Sequence, residues 1–283
     1  LLEIHFAVLF FGLAGLFGKL VSQPPTVIVF GRVFYAMAFL LPALWLRRQS
    51  LKLNRGSDYL ALLLQGFILA VHWGTFFQSI QVSTVAVGLI TFSTFPIFVT
   101  FLEPLFFKER LRPVDVVLAL VTFCGVVLVV PAFSLDNTTT QGALWGITSG
   151  FTFALLSILN RKYARSYSSL VVAFYQDAAA ALFLFPFLFL PGPTLTLQDM
   201  LLLALLGIVF TGVAHSLFIK GLSTVKAQTA SIIASLEPVY GILAATLLLA
   251  EMPALRELAG GVVILGAALY ATLRKEPGGS NGT

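Results

Sequence analysis

The sequence predicts an all-α integral membrane protein, with ten transmembrane helices in two inverted five-helix repeats. Three observations predict it. The chain is 58% hydrophobic with a mean hydropathy of +0.97, and only 10% of it is charged, against roughly 25% in an ordinary soluble domain. It divides into ten apolar runs, each near the roughly 20 residues that a bilayer core about 30 Å thick requires. A shift of 142 residues lays its first half on its second. The net charge of +5 does not indicate nucleic acid, because the basic residues lack aromatic interleaving and sit between apolar runs. The single cysteine, Cys124, excludes an intrachain disulfide framework and a cysteine-rich metal site.

The elements follow in order, each closed by turn chemistry or charge. Span one, 3 to 20, has a small-residue face of Gly12 and Gly15 with Lys19, and ends at "SQPP". Span two, 26 to 46, contains one charge, Arg32, about two turns from its start. Span three, 58 to 80, follows "RRQSLKLNRGSD" and sets Gln65, His72, Phe76 and Ser79 on one stripe, with Trp73 beside it. Span four, 84 to 106, carries Pro96 in its middle and Glu103-Pro104 near its end, and span five runs from 114 to 131. Span six, 142 to 160, repeats the small-residue face with Gly146 and Gly150. Span seven, 168 to 190, holds Tyr175, Gln176 and Asp177 at its centre, and span eight, 199 to 220, lines up Gly207, Thr211, His215 and Phe218. Span nine, 226 to 248, contains Glu237-Pro238, and span ten, 256 to 273, contains Gly260, Gly261 and Gly266, a packing face or a weak dimer surface. The tail 274–283 is polar and solvated.

Lys and Arg set the orientation. With a cytoplasmic N-terminus, fourteen of the seventeen fall on the cytoplasmic side, only Lys19 and Arg256 fall outside, and Arg32 is intramembrane. Both termini are therefore expected in the cytoplasm.

The 142-residue shift pairs Pro96 with Pro238, Glu109 with Glu251, Phe11 with Phe153, Phe76 with Phe218 and Ser93 with Ser235. Because five spans is an odd number, the second half, 142–273, enters the membrane upside down relative to the first, 1–131. Inverted repeats of this kind form midplane sites in secondary transporters. A proline in a helix interior removes a hydrogen bond and clashes with the carbonyl four residues back. Pro96 and Pro238 are accordingly expected to kink spans four and nine and to serve either as hinges at a site or as static kinks. Glu237 costs at least about 2.5 kcal/mol as a charge at the bilayer centre, so it should face the interior, pair or be protonated. Its position lies about 200° around an unbroken helix from Ser235, off the stripe of Gln228, Ser231 and Ser235. It therefore serves either substrate or proton coupling, or a structural contact.

Two stretches, "FFQSIQVSTVAVGLITFSTFPIFVTFLEPLFFKERLRP" (76 to 113) and "LFIKGLSTVKAQTASIIASLEPVYGILAATLLLAEMP" (217 to 253), share a short polar break, a small-residue helix with a central proline and a glutamate at its far end. With the Gly/Ala-rich span after each, they resemble the drug/metabolite transporter superfamily and its EamA-type permeases, and among these the YddG-type exporters of amino acids. The resemblance implies ten helices, export of small organic solutes, and a cavity lined by spans one to four and six to nine.

The candidate cavity residues are Arg32, His72, Trp73, Tyr175, Gln176, Asp177, His215 and Glu237, with Pro96 and Pro238 as hinges. Arg32 and Asp177 either hold the carboxylate and ammonium of a zwitterion or pair with each other. The histidines either meet solute and carry protons or make helix-to-helix hydrogen bonds. The expected function is alternating-access export of small amphipathic solutes, aromatic or apolar amino acids first, across the bacterial inner membrane. The protein would be a monomer or weak homodimer without cofactor or metal, and not an enzyme. No GxxxxGK[ST] loop offers ATP drive. A sugar phosphate or nucleotide sugar would call for several deep cations, and only Arg32 is deep. A membrane hydrolase built on Ser216, His215, His72 and Asp177 lacks GxSxG and HExxH. A non-transporting receptor leaves the paired prolines unexplained.

Overall fold

The computed structural model describes residues 1–107, 113–130, 134–189, 194–224, 230 and 233–273. Glu109, Gln228, Ser231 and the tail 274–283 lie outside the described residues. Helices run over α1 (Leu2–Ala14), α2 (Phe17–Leu20), α3 (Pro25–Leu46), α4 (Gly56–Val82), α5 (Val85–Phe92), α6 (Phe95–Phe107), α7 (Pro113–Val129), α8 (Thr138–Tyr163), α9 (Ser169–Leu184), α10 (Leu197–Gly207), α11 (Ala214–Thr224), α12 (Glu237–Leu249) and α13 (Leu255–Leu273). Among the described residues seven helical stretches are long and apolar enough to cross a membrane, and the shorter apolar helices Val116–Val129 and Glu237–Leu249 accompany them.

Starts and stops are made by local chemistry. Thr84, Asn137 and Ser168 cap α5, α8 and α9 by accepting a backbone N–H three residues on, and Thr196 and Asp199 close a capping box on α10. Pro24 and Pro25 open α3, where a missing N–H costs nothing. Pro186 lies in a 3-10 turn, Phe185–Phe189, that ends α9. Arg256 donates to the carbonyls of Leu128 and Val130, satisfying the last turn of α7.

The helices pack through small residues. Helix α4 lies against α8 and α9, α3 against α9 and α10, α1 against α11 and α12, and α7 against α13. A side chain at Gly12 would meet the backbone oxygen of Glu237 at 2.6 Å, and one at Gly260 would meet the oxygen of Gly125 at 2.6 Å. Gly260 is thus committed to α7, whereas Gly266 faces open space.

The two central prolines differ from expectation. They do not kink continuous helices. Turns at 93–94 and 235–236 end one helix, and α6 and α12 start afresh with Pro96 and Pro238 as their second residues. The reason is the N–H of the first helical turn, which has no partner inside the helix and so favours proline there.

Candidate functional site

Arg32, on α3, is 2% exposed and forms the centre of the polar interior. Its guanidinium carbon stands 3.7 Å from the centroid of Trp73 on α4 and 5.5 Å from Phe77. Its Nε donates to Thr211 Oγ1 at 3.0 Å. Thr211 is placed by a π-helical turn, Ile208–Val213, and in turn donates to the carbonyl of Leu206, five residues back, at 2.9 Å. Such single-turn bulges re-aim side chains at functional sites. Gly207 makes room for α3, since a side chain there would strike the Arg32 carbonyl at 2.6 Å.

Around Arg32 lies a cavity walled by rings. Phe11, Phe76, Phe92 and Phe153 with three aliphatic side chains supply the apolar wall, and His72, Trp73, His215 and Glu237 line it alongside Arg32. Its free space is about 30 Å³, room for about one water and far below the roughly 300–1,000 Å³ of a ligand pocket. The rings interlock: Phe92 and Phe153 lie 5.3 Å apart edge to face, and Phe153 and Phe218 lie 5.6 Å apart.

The expected residues divide sharply. His72 lines the cavity and is held from behind, its Nδ1 2.9 Å from Ser149 Oγ and 3.1 Å from the Ser149 carbonyl oxygen. His215 and Trp73 pack edge to face at 5.5 Å. Glu237 lines the same space as Arg32. Ser235 is not among the residues lining it, in keeping with the roughly 200° that separates the two positions.

Three residues of α9 do not line the cavity. Tyr175 turns the other way, donating to the Leu51 carbonyl at 2.7 Å and packing on Tyr59, as its position about 200° from Asp177 on the helix dictates. Gln176 joins a buried amide cluster, donating to Gln65 Oε1 at 3.0 Å and Asn160 Oδ1 at 2.5 Å. Asp177 sits one layer behind the wall, Oδ1 4.0 Å from His215 Nδ1, and makes no contact ion pair with Arg32. The alternative of an Arg32 to Asp177 bridge is therefore not what this conformation forms. Glu103 bridges Arg161 at 2.5 Å, and Glu251 Oε1 accepts the N–H of Val85 at 2.5 Å.

Sequence reasoning did not assign Phe11, Phe92 and Phe153 to the site, nor Thr211 as the Arg32 partner. A signal existed for two of them. Phe11 and Phe153 are paired as identical residues by the 142-residue shift.

The profile of the EamA-like transporter family matches residues 2–130 and again residues 140–273. The chain belongs to the EamA-like transporter family. Proteins similar to it include an uncharacterized transporter, YxxF, of Bacillus subtilis, 26% identical over all of this chain and 92% of that protein. An S-adenosylmethionine uptake transporter of Rickettsia bellii is 25% identical over 86% of this chain and 82% of that one. A solved crystal structure covers 96% of each chain with a TM-score of 0.70 at 21% identity, a likeness of fold alone. This EamA chain is thus a multi-pass membrane transporter.

Proposed function

We infer that the protein exports small zwitterionic amphipaths, aromatic or apolar amino acids first, by alternating access across the bacterial inner membrane. One observation carries the reading: a guanidinium, Arg32, and a carboxylate, Glu237, share one cavity whose other walls are rings. Arg32 suits a substrate carboxylate, Glu237 an ammonium, and the phenylalanines an apolar side chain. Opposite charges in one small space leave it close to neutral, as a net-neutral zwitterion requires. In this reading ten spans form two inverted five-helix halves, with both termini cytoplasmic as the Lys and Arg distribution supports. The breaks before Pro96 and Pro238 are the joints about which the halves rock.

A second reading is favoured by the aromatic rings beside Glu237, which also suit a cationic solute. S-adenosylmethionine, the solute of the Rickettsia uptake transporter, is such a solute. Its α-carboxylate suits Arg32 as well, so the sulfonium is what distinguishes it from a neutral amino acid. Efflux of labelled compounds from proteoliposomes decides between them. Rapid flux of phenylalanine or leucine, lost in Arg32→Ala, supports the first reading. Flux of S-adenosylmethionine alone supports the second, and flux of neither removes both substrates.

A further inference from the structure

We propose that Asp177 and His215 form a proton-binding site behind the cavity, and that proton movement through it is coupled to solute movement. Asp177 is 0% exposed, and neither of its carboxylate oxygens has a hydrogen-bond partner. His215 Nδ1, 4.0 Å from Asp177 Oδ1, is likewise buried without a hydrogen bond, as is the hydroxyl of adjacent Ser216. Buried polar atoms are nearly always satisfied, so an unsatisfied carboxylate facing an unsatisfied imidazole nitrogen calls for an explanation. The distance is about 1 Å longer than a hydrogen bond. A small adjustment of either side chain therefore puts one shared proton between Oδ1 and Nδ1 and gives both atoms a partner.

The imidazole of His215 also lines the cavity, which makes it the connection between Asp177 and any water that enters. Asp177 has no such access of its own. The other groups facing it do not compete for the proton. From α3, Arg32 acts on it at longer range while committed to Trp73 and Thr211, and Tyr35 lies against Gly207. From α4, His72 is turned to Ser149, and Tyr59 packs on Tyr175, which points about 200° away from Asp177 around α9. From α11, Lys220 is paired with Glu3, and Glu237 of α12 lines the cavity with Arg32. The repeat counterparts of Asp177 and His215 are Tyr35 and Trp73, so the scaffold itself needs no titratable pair here.

The coupling rests on the transport reading above, whereas proton binding does not, and two measurements separate them. Infrared difference spectra of the purified full chain between acid and alkaline pH should show a protonated-carboxyl band. Asp177→Asn should delete one component of it that Glu237→Gln leaves in place. In proteoliposomes Asp177→Asn should abolish solute accumulation driven by a pH gradient while keeping exchange without a gradient, and His215→Gln should slow the driven flux. An unchanged carboxyl band in Asp177→Asn overturns the site. Full pH-driven accumulation by that variant, or drive by a sodium gradient in place of protons, overturns the coupling. Absence of any amino acid exchange in the wild-type chain, with the Asp177 band component present, removes the substrate reading and leaves the proton site standing. Asp177→Glu, which restores the carboxyl, guards against misfolding of the amide variant and should recover the band.

Discussion

The two halves of the molecule share a backbone plan and differ in chemistry. Helix α6 spans 95–107 and α12 spans 237–249, the same bounds shifted by 142 residues, and the turns before them fall at 93–94 and 235–236. Yet Phe95, the first residue of α6, is 1% exposed in the apolar core, whereas Glu237, the first of α12, lines the cavity. The same holds nearby: Arg32 answers to Phe174, Asp177 to Tyr35, and His215 to Trp73. Repetition supplies the breaks and the meeting surface, and the departures from it supply the charges.

The largest effect is expected where the departure is most complete. Arg32→Ala removes a buried cation that stacks on Trp73 and bonds to Thr211, and truncating a buried hydrogen-bonded charge costs about 2–5 kcal/mol. Solute flux should fall about a hundredfold or more, with Phe174→Ala, at the matching place, far milder. Arg32→Lys should recover little, because an ammonium lacks the planar face that lies on Trp73.

Next comes the contact between halves. Ala at position 12 would put Cβ 2.6 Å from the Glu237 carbonyl and 3.2 Å from the Gly241 nitrogen, both backbone atoms that cannot swing aside. Overpacking of this kind costs roughly 1–3 kcal/mol, read as a lower melting temperature in detergent. At the counterpart position the natural residue is already Ala154, fully buried. Ala154→Gly should cost only about 1 kcal/mol, the helix propensity difference.

Smaller still is the tie between Glu251 and the start of α5. The carboxylate accepts the N–H of Val85, one of the orphan donors of a helix N-terminus. Losing a cap costs about 0.5–2 kcal/mol, so Glu251→Ala should lower thermal stability by that amount. Glu251→Gln, which keeps an oxygen acceptor, should lose less.

The all-helical membrane class and the two-repeat family were legible because they depend on counting apolar residues and on bilayer thickness. The family followed from the same features, as did the placing of Arg32, His72, Trp73 and His215 in the interior. Periodicity put Glu237 on a different face from Ser235, and only Glu237 lines the cavity. It has no bearing on which residue of another helix a side chain meets, so the bond of Arg32 to Thr211 was beyond its reach. Tyr175 and Gln176 were grouped with Asp177 by adjacency, although neighbours on a helix point about 100° apart. Phe92 carried no signal, since its counterpart is Ala234 and only the fold brings it to Phe153.

The smallest effect tests the prolines, and it separates two accounts of the same residues. A proline inside a continuous helix destabilises it by about 3 kcal/mol, so replacing it with alanine would stabilise the protein markedly. At the second residue of a new helix, proline displaces no helical hydrogen bond and restricts the unfolded chain. There, Pro96→Ala and Pro238→Ala should each lower stability by less than about 1 kcal/mol. Transport is the more sensitive measure. If the breaks are joints, alanine lets α5 run on into α6, and solute flux should fall in the single variants and further in the double, with binding retained. A marked gain in melting temperature with flux unchanged would mean that the chain bends smoothly at these points and that its halves move about some other place.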